Sequence, residues 1–244
     1  MKTAKKTLAL LLAALAASAT AAPPPFEDTM AQRALACSAC HGPQGRAAPD
    51  GYYPRIAGKP AGYLYNQLMN FRDERRHYGL MTRMVAPLSD AYLLEMAQHF
   101  ASLDLPYPAP QPASAPSAVL ARGRALALEG DAQHRIPACV QCHGAALTGV
   151  LPATPGLLGL PRDYLNAQLG AWRTGQRKAH APDCMAQVAE RLSLDDVAAV
   201  ASWLAAQPLP ANPKPAATLP AATPLTCGSA VPPAAPAGPT GGRP

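Results

Sequence analysis

The pentapeptide Cys37-Ser38-Ala39-Cys40-His41 recurs as Cys139-Val140-Gln141-Cys142-His143, and a glycine, Gly42 or Gly144, follows each copy. C-x-x-C-H is the attachment sequence for c-type haem. Two thiols at that spacing reach the two vinyl groups of one porphyrin and form thioethers. The adjacent histidine then sits under the iron as its proximal ligand. Paired cysteines also serve zinc sites, redox dithiols and disulfide frameworks. Neither a His-x-x-x-His segment nor a strand-flanked dithiol accompanies these pairs. The reading is therefore two covalently attached haem c groups, one on Cys37, Cys40 and His41, the other on Cys139, Cys142 and His143.

Such chemistry belongs outside the cytoplasm, and the N-terminus agrees. Lys2, Lys5 and Lys6 precede an apolar run from Leu8 to Ala19, with small residues before Pro23. That is the layout of a secretory signal peptide, with cleavage expected near Ala21 or Ala22. The run falls short of the roughly 20 residues that span a bilayer, and no other segment is apolar enough. No transmembrane segment is expected in the mature chain, and no cysteine stands at the junction to carry a lipid. Loss of the three lysines reduces 21 Lys and Arg to 18 against 15 Asp and Glu, so +6 becomes +3. Up to four haem propionates would bring this near neutrality. Neither the balance nor the scattered basic residues suit a nucleic-acid partner.

An internal repeat sets the domain plan. Pro54, Gly58, Pro60, Tyr63, Leu64, Gln67, Leu68 and Arg72 recur 101 residues later as Pro155, Gly159, Pro161, Tyr164, Leu165, Gln168, Leu169 and Arg173. The pentapeptides match at an offset of 102, and Met81, Leu88 and Ser89 match Met185, Leu192 and Ser193 at 104. Duplication of a single-haem domain is expected: signal peptide 1–21, first domain 22–104, Pro-rich linker 105–116, second domain 117–207, and a Pro/Ala-rich tail 208–244. The tail is expected to be mostly disordered, because it cannot bury enough apolar surface to fold alone. The linker reads as a stiff extended spacer.

Within the first half, apolar spacing predicts helices over about 26–36, 61–76 and 90–102. The face of the middle one is Tyr63, Leu64, Gln67, Leu68 and Phe71, and Ser89 is the N-cap of the last. The second half predicts helices near 117–130, 162–173 and 194–206, with a capping box at Ser193 and Asp196. Residues 77–88 and 174–192 read as irregular.

Each iron needs a distal ligand. Met69, His77, Met81, Met84, Met96 and His99 follow the first motif, and His180, Cys184 and Met185 follow the second. Met81 and Met185 alone share a register, seven residues before Leu88 and Leu192. A thioether suits haem iron and raises its potential relative to bis-His ligation. The expected iron ligands are His41, Met81, His143 and Met185, with Met84 the rival in the first site. His77 and His180 read as surface or propionate-side residues.

From these motifs the chain resembles a dihaem cytochrome c of the cytochrome c4 type, over roughly residues 26–206. The resemblance rests on both pentapeptides, on Pro-x-Ile/Leu-x-Gly-x-Pro at 54–60 and 155–161, and on Tyr-Leu-x-x-Gln-Leu at 63–68 and 164–169. The methionine blocks starting at Met81 and Met185 complete it. It implies an all-α architecture of two tandem class I cytochrome c folds with haem edges close together. It also implies that the carbonyls of Pro54 and Pro155 accept the Nδ1–H of His41 and His143, which fixes each ring. Tyr63, Gln67, Tyr164 and Gln168 would line the propionate side where the haems face each other. The chain departs from the family in placing His99 where an aromatic is usual (Trp203 fills that place in the second half). Its Pro-rich linker, its tail and Cys184 beside Met185 are further departures.

Cys184 and Cys227 remain after haem attachment. They could form a disulfide stapling the tail beside the second haem, remain free or pair between molecules, or supply a thiolate to iron as in some dihaem thiosulfate-oxidising cytochromes. The expected role is a periplasmic carrier passing single electrons from a respiratory donor complex to a terminal oxidase or reductase. Membrane association would come only through those redox partner proteins. Alternatives are a cytochrome subunit of a dehydrogenase or oxidase complex, with the tail as tether, and a dihaem enzyme such as a thiosulfate dehydrogenase.

Overall fold

The computed structural model describes residues 27–48 and 51–230. The expected signal peptide and the last residues of the tail lie outside them. Packing divides the chain after Arg33. On the N-terminal side, Arg33 pairs with Asp28 at 2.6 Å.

Helix α1, Met30–His41, runs into the first pentapeptide. Three helices follow: α2, Ala61–Arg72; α3, Gly79–Val85; and α4, Asp90–Ser102. The second half supplies α5, Ser117–Leu128; the short α6, Val140–His143; α7, Arg162–Arg173; α8, Cys184–Arg191; and α9, Leu194–Ala205. The fold is thus mostly helical. Among the described residues the one small sheet is a hairpin of β1, Gly149–Val150, and β2, Thr154–Pro155, with Gly149 opposite Pro155.

Local chemistry sets the helix starts. Ser89 Oγ accepts the amide of Tyr92 at 3.2 Å, and Ser193 and Asp196 form the reciprocal capping box. Two stretches expected to be irregular each hold a helix, α3 and α8. In α8 the signal was present: Asp183 accepts the Ala186 amide at 3.0 Å as N-cap. The start of α3 carries no side-chain cap, so nothing in the sequence marked it.

In the first half α2 packs on α4, burying Leu64, Phe71, Leu93, Met96, Ala97 and Phe100. Burial on α2 extends beyond the expected face to Tyr65, Asn66 and Asn70, while Tyr63, Gln67 and Leu68 are half-buried. In the second half α9 packs on α5 and α7. Leu126, Leu165, Val197, Val200 and Leu204 are buried there. Helices α5 and α9 approach closely at Gly123, where a Cβ would collide with the Ala199 carbonyl.

The linker and tail are both held. The guanidinium of Arg55 donates to the Leu105 carbonyl at 2.6 Å and the Pro106 carbonyl at 2.9 Å, and it stacks on the Tyr107 ring at 3.9 Å. Further on, Gln111 N–H donates to Ala205 O at 2.9 Å. The linker is extended but not a free spacer.

Tail residues 208–230 also differ from the expected disorder. Ala216 bridges Val150, donating to Gly149 O at 2.9 Å and accepting from Leu151 at 2.8 Å. Cys227 is disulfide-bonded to Cys184, and Gly228 N–H donates to Pro182 O at 2.9 Å. Ser229 O accepts from Asn66 Nδ2 at 3.0 Å. The segment buries little of its own, but it is tied at several points to a body that already has a core.

Candidate haem sites and the junction between the halves

Each pentapeptide ends a helix and is followed by a glycine with positive φ, 76° at Gly42 and 83° at Gly144. The chain reverses there, and at Gly42 a Cβ would run into the Ala47 carbonyl. The reversal brings each histidine to a proline carbonyl. His41 Nδ1 lies 2.8 Å from Pro54 O, and His143 Nδ1 lies 2.7 Å from Pro155 O. Both rings are buried, and burial pushes their pKa values down. Each is therefore a neutral imidazole that donates from Nδ1 and keeps the Nε2 lone pair for a metal.

The four thiols are unbonded to one another. Burial pushes the Cys37 and Cys142 thiols up, and Cys139 up to about 11. Among the described residues no three His, Cys, Asp or Glu side chains converge as a zinc site requires.

The other expected positions fall as follows. Met81 and Met185 are half-buried near the starts of α3 and α8. Met84 is 43 % exposed and Met96 is 3 % exposed in the core. His77 is exposed, and His180 lies 3.5 Å from Arg75. His99 is half-buried, and its neighbour Phe100 is the buried aromatic of α4. Cys184, in a disulfide, holds no thiolate.

Tyr63, Gln67, Tyr164 and Gln168 do come together, and the residues that gather them are two arginines the sequence reading passed over. Arg76 donates to Gln67 Oε1 at 2.9 Å in its own half, and to Gln168 Oε1 at 2.5 Å and Tyr164 OH at 3.4 Å in the other. Arg177 mirrors it, donating to Gln168 Oε1 at 2.8 Å, and across to Gln67 Oε1 at 3.0 Å and Tyr63 OH at 3.4 Å. The backbones pair beneath them as an antiparallel bridge, with His77 N–H on Gln176 O at 2.8 Å and Lys178 N–H on Arg75 O at 2.7 Å. Arg76 stacks on Phe71 and Arg177 on Trp172, at 4.5 and 3.8 Å. Arg76 and Arg177 are themselves 101 residues apart, so the repeat register was the signal that could have found them.

Arg177 is 5 % exposed. Burial, and then Arg76, push its pKa down. No carboxylate reaches either guanidinium among the described residues, and Trp172 Nε1 is buried there without a hydrogen-bond partner. Buried cations without counter-charges are costly. Haem propionates would supply anionic oxygens for both guanidinia and an acceptor for the indole N–H. The residues therefore fit two haems whose propionates meet at this junction.

The chain is 41 % identical to a thiosulfate dehydrogenase electron acceptor of Thiomonas intermedia, over 83 % of this chain and 89 % of that one. It is 34 % identical to cytochrome c4 of Thiocapsa roseopersicina, over 75 % of this chain and 95 % of that one. The structure resembles reduced cytochrome c4 from Pseudomonas stutzeri with a TM-score of 0.63 at 30 % identity, covering 72 % of this chain and 96 % of that one. The chain belongs to the cytochrome c4 family. No family model matches the sequence. As a c4-type cytochrome it carries two covalently attached haem c groups and transfers electrons. Among the described residues no helix is long and apolar enough to cross a membrane.

Proposed function

We propose that this c4-type cytochrome accepts electrons in the periplasm from a thiosulfate-oxidising dehydrogenase and passes them singly to a terminal oxidase or reductase. In this reading residues 1–21 are removed on export. Residues 22–104 and 117–207 each form one haem domain, with His41 and Met81, and His143 and Met185, as iron ligands.

The arginine junction carries the reading. Arg76 and Arg177 gather Tyr63, Gln67, Tyr164 and Gln168 from both halves into one partly buried network, which supports two one-electron sites at a common boundary. Joining two thiosulfate ions through an S–S bond releases two electrons, the number two haems hold. The relatives named as thiosulfate dehydrogenase electron acceptors support that donor. The haem supplies the redox change; the chain fixes its ligands and surrounds its propionates. The disulfide at Cys184 supports a carrier over an enzyme with thiolate-ligated iron.

Stopped-flow mixing of the oxidised holoprotein with thiosulfate and a thiosulfate dehydrogenase tests this. Both haems are expected to be reduced only when the dehydrogenase is present. Steady thiosulfate oxidation by the chain alone would establish the enzyme reading instead, and no reduction with the dehydrogenase would remove that donor.

A further inference from the structure

The repeat is broken at one buried position. Leu160, 8 % exposed, occupies the second half's copy of the Gly-x-Pro turn; its partner in the first half is Lys59, at an offset of 101 and 6 % exposed. A lysine this buried ordinarily has a carboxylate beside it. Lys59 has none among the described residues. Its Nζ donates across the junction to Gly156 O at 3.3 Å.

Gly156 follows Pro155, whose carbonyl holds His143 Nδ1 at 2.7 Å. The other cation facing Lys59 is Arg55, whose guanidinium is engaged by the Ala57, Leu105 and Pro106 carbonyls. The repeat-related position in the second half, Leu160, carries no charge, so this contact runs in one direction only.

We propose that Lys59 is a positioning residue for electron transfer: a charge lent by the first half that raises the reduction potential of the second haem. A fixed cation in a buried setting stabilises Fe(II) over Fe(III), because reduction removes one positive charge from the iron. Its bond to Gly156 O places that charge beside the turn that presents the His143 hydrogen bond. Burial and Arg55 pull the Lys59 pKa down to about 8, and the ammonium persists at pH 7.

The inference rests on His143 as an iron ligand, which an unchanged haem spectrum in each variant checks separately. The test is spectroelectrochemical titration of the holoprotein at pH 7, wild type against Lys59→Met and Lys59→Arg. Lys59→Met keeps the stem and removes the charge. The reduced-to-oxidised ratio of one haem at fixed ambient potential is expected to fall about tenfold, equivalent to about 59 mV for a one-electron couple. The other step should stay in place, and Lys59→Arg should restore the wild-type value. The step that falls must be the one that Met185→His lowers. If both steps stay, move alike, or only the other one falls, the assignment is overturned. A merely structural role would change thermal stability and leave the potentials alone.

Discussion

At the scale of single residues, charge without a counter-charge organises the junction between the halves. Arg177 makes hydrogen bonds to both sides, stacks on Trp172 and, among the described residues, meets no carboxylate. Its place between the propionate-side groups of both halves predicts that Arg177→Leu lowers both haem potentials together, read by the same titration. Lys59→Met should move one. Lys59 also makes a stability prediction. Its folded pKa, about 8, lies below the usual 10.5, so the folded state gives up this proton more readily than the unfolded chain. The buried ammonium is destabilising below pH 8, and the penalty fades as pH rises from 8 to about 10.5. The full span is about 3 kcal/mol at 1.36 kcal/mol per unit. Denaturant unfolding should show Lys59→Met more stable than wild type at pH 7, with the gap closing by pH 10. Neither cation stood out in the sequence. A lysine in a Gly-x-Pro turn reads as surface, and only the fold shows that the turn faces the other half. The ring partners of His41 and His143, by contrast, followed from the resemblance to the cytochrome c4 type, which implies the Pro54 and Pro155 carbonyls, and both contacts are present.

At the scale of elements, the longer helices were legible, although α2, expected over 61–76, stops at Arg72, and α1, expected over 26–36, is Met30–His41. Helix α7 begins and ends where its spacing placed it, and α9 starts at its capping box. The short helices α3 and α8 were not, since a two-turn helix between proline-marked turns has too little periodicity to distinguish it from a loop. The closeness of α5 to α9 is set by Gly123. Gly123→Ala forces a methyl group onto the Ala199 carbonyl and should cost about 1–3 kcal/mol by overpacking, measured by denaturant unfolding of the holoprotein. The tail illustrates the limit of composition: its residues cannot build a core, but a staple and a few backbone bonds fix 208–230 to one. The bridge between Cys184 and Cys227 spans 43 residues. Closing a loop of that size is worth about 4 kcal/mol in the chain-entropy account. Cys227→Ser should therefore lower thermal stability without removing either haem, with the haem content per chain as the check.

At the scale of the whole molecule, duplication supplies two similar haem sites, and the departures from symmetry make them different. Lys59 faces Leu160 across the repeat register, and Leu80, 53 % exposed, stands where Cys184 anchors the tail. The first half thus leaves this helix face open, while the second has it tied to the chain's own C-terminal segment. A carrier built this way needs both irons in a closed, six-coordinate state that changes little on reduction. The most direct measurement is the optical and EPR spectrum of the oxidised holoprotein. Low-spin signals, with a long-wavelength methionine-to-Fe(III) charge-transfer band of two-haem intensity, are predicted. That band should halve in Met81→Ala and in Met185→Ala and persist in Met84→Ala. A thiolate or high-spin signal from either haem in the wild-type protein would contradict the account.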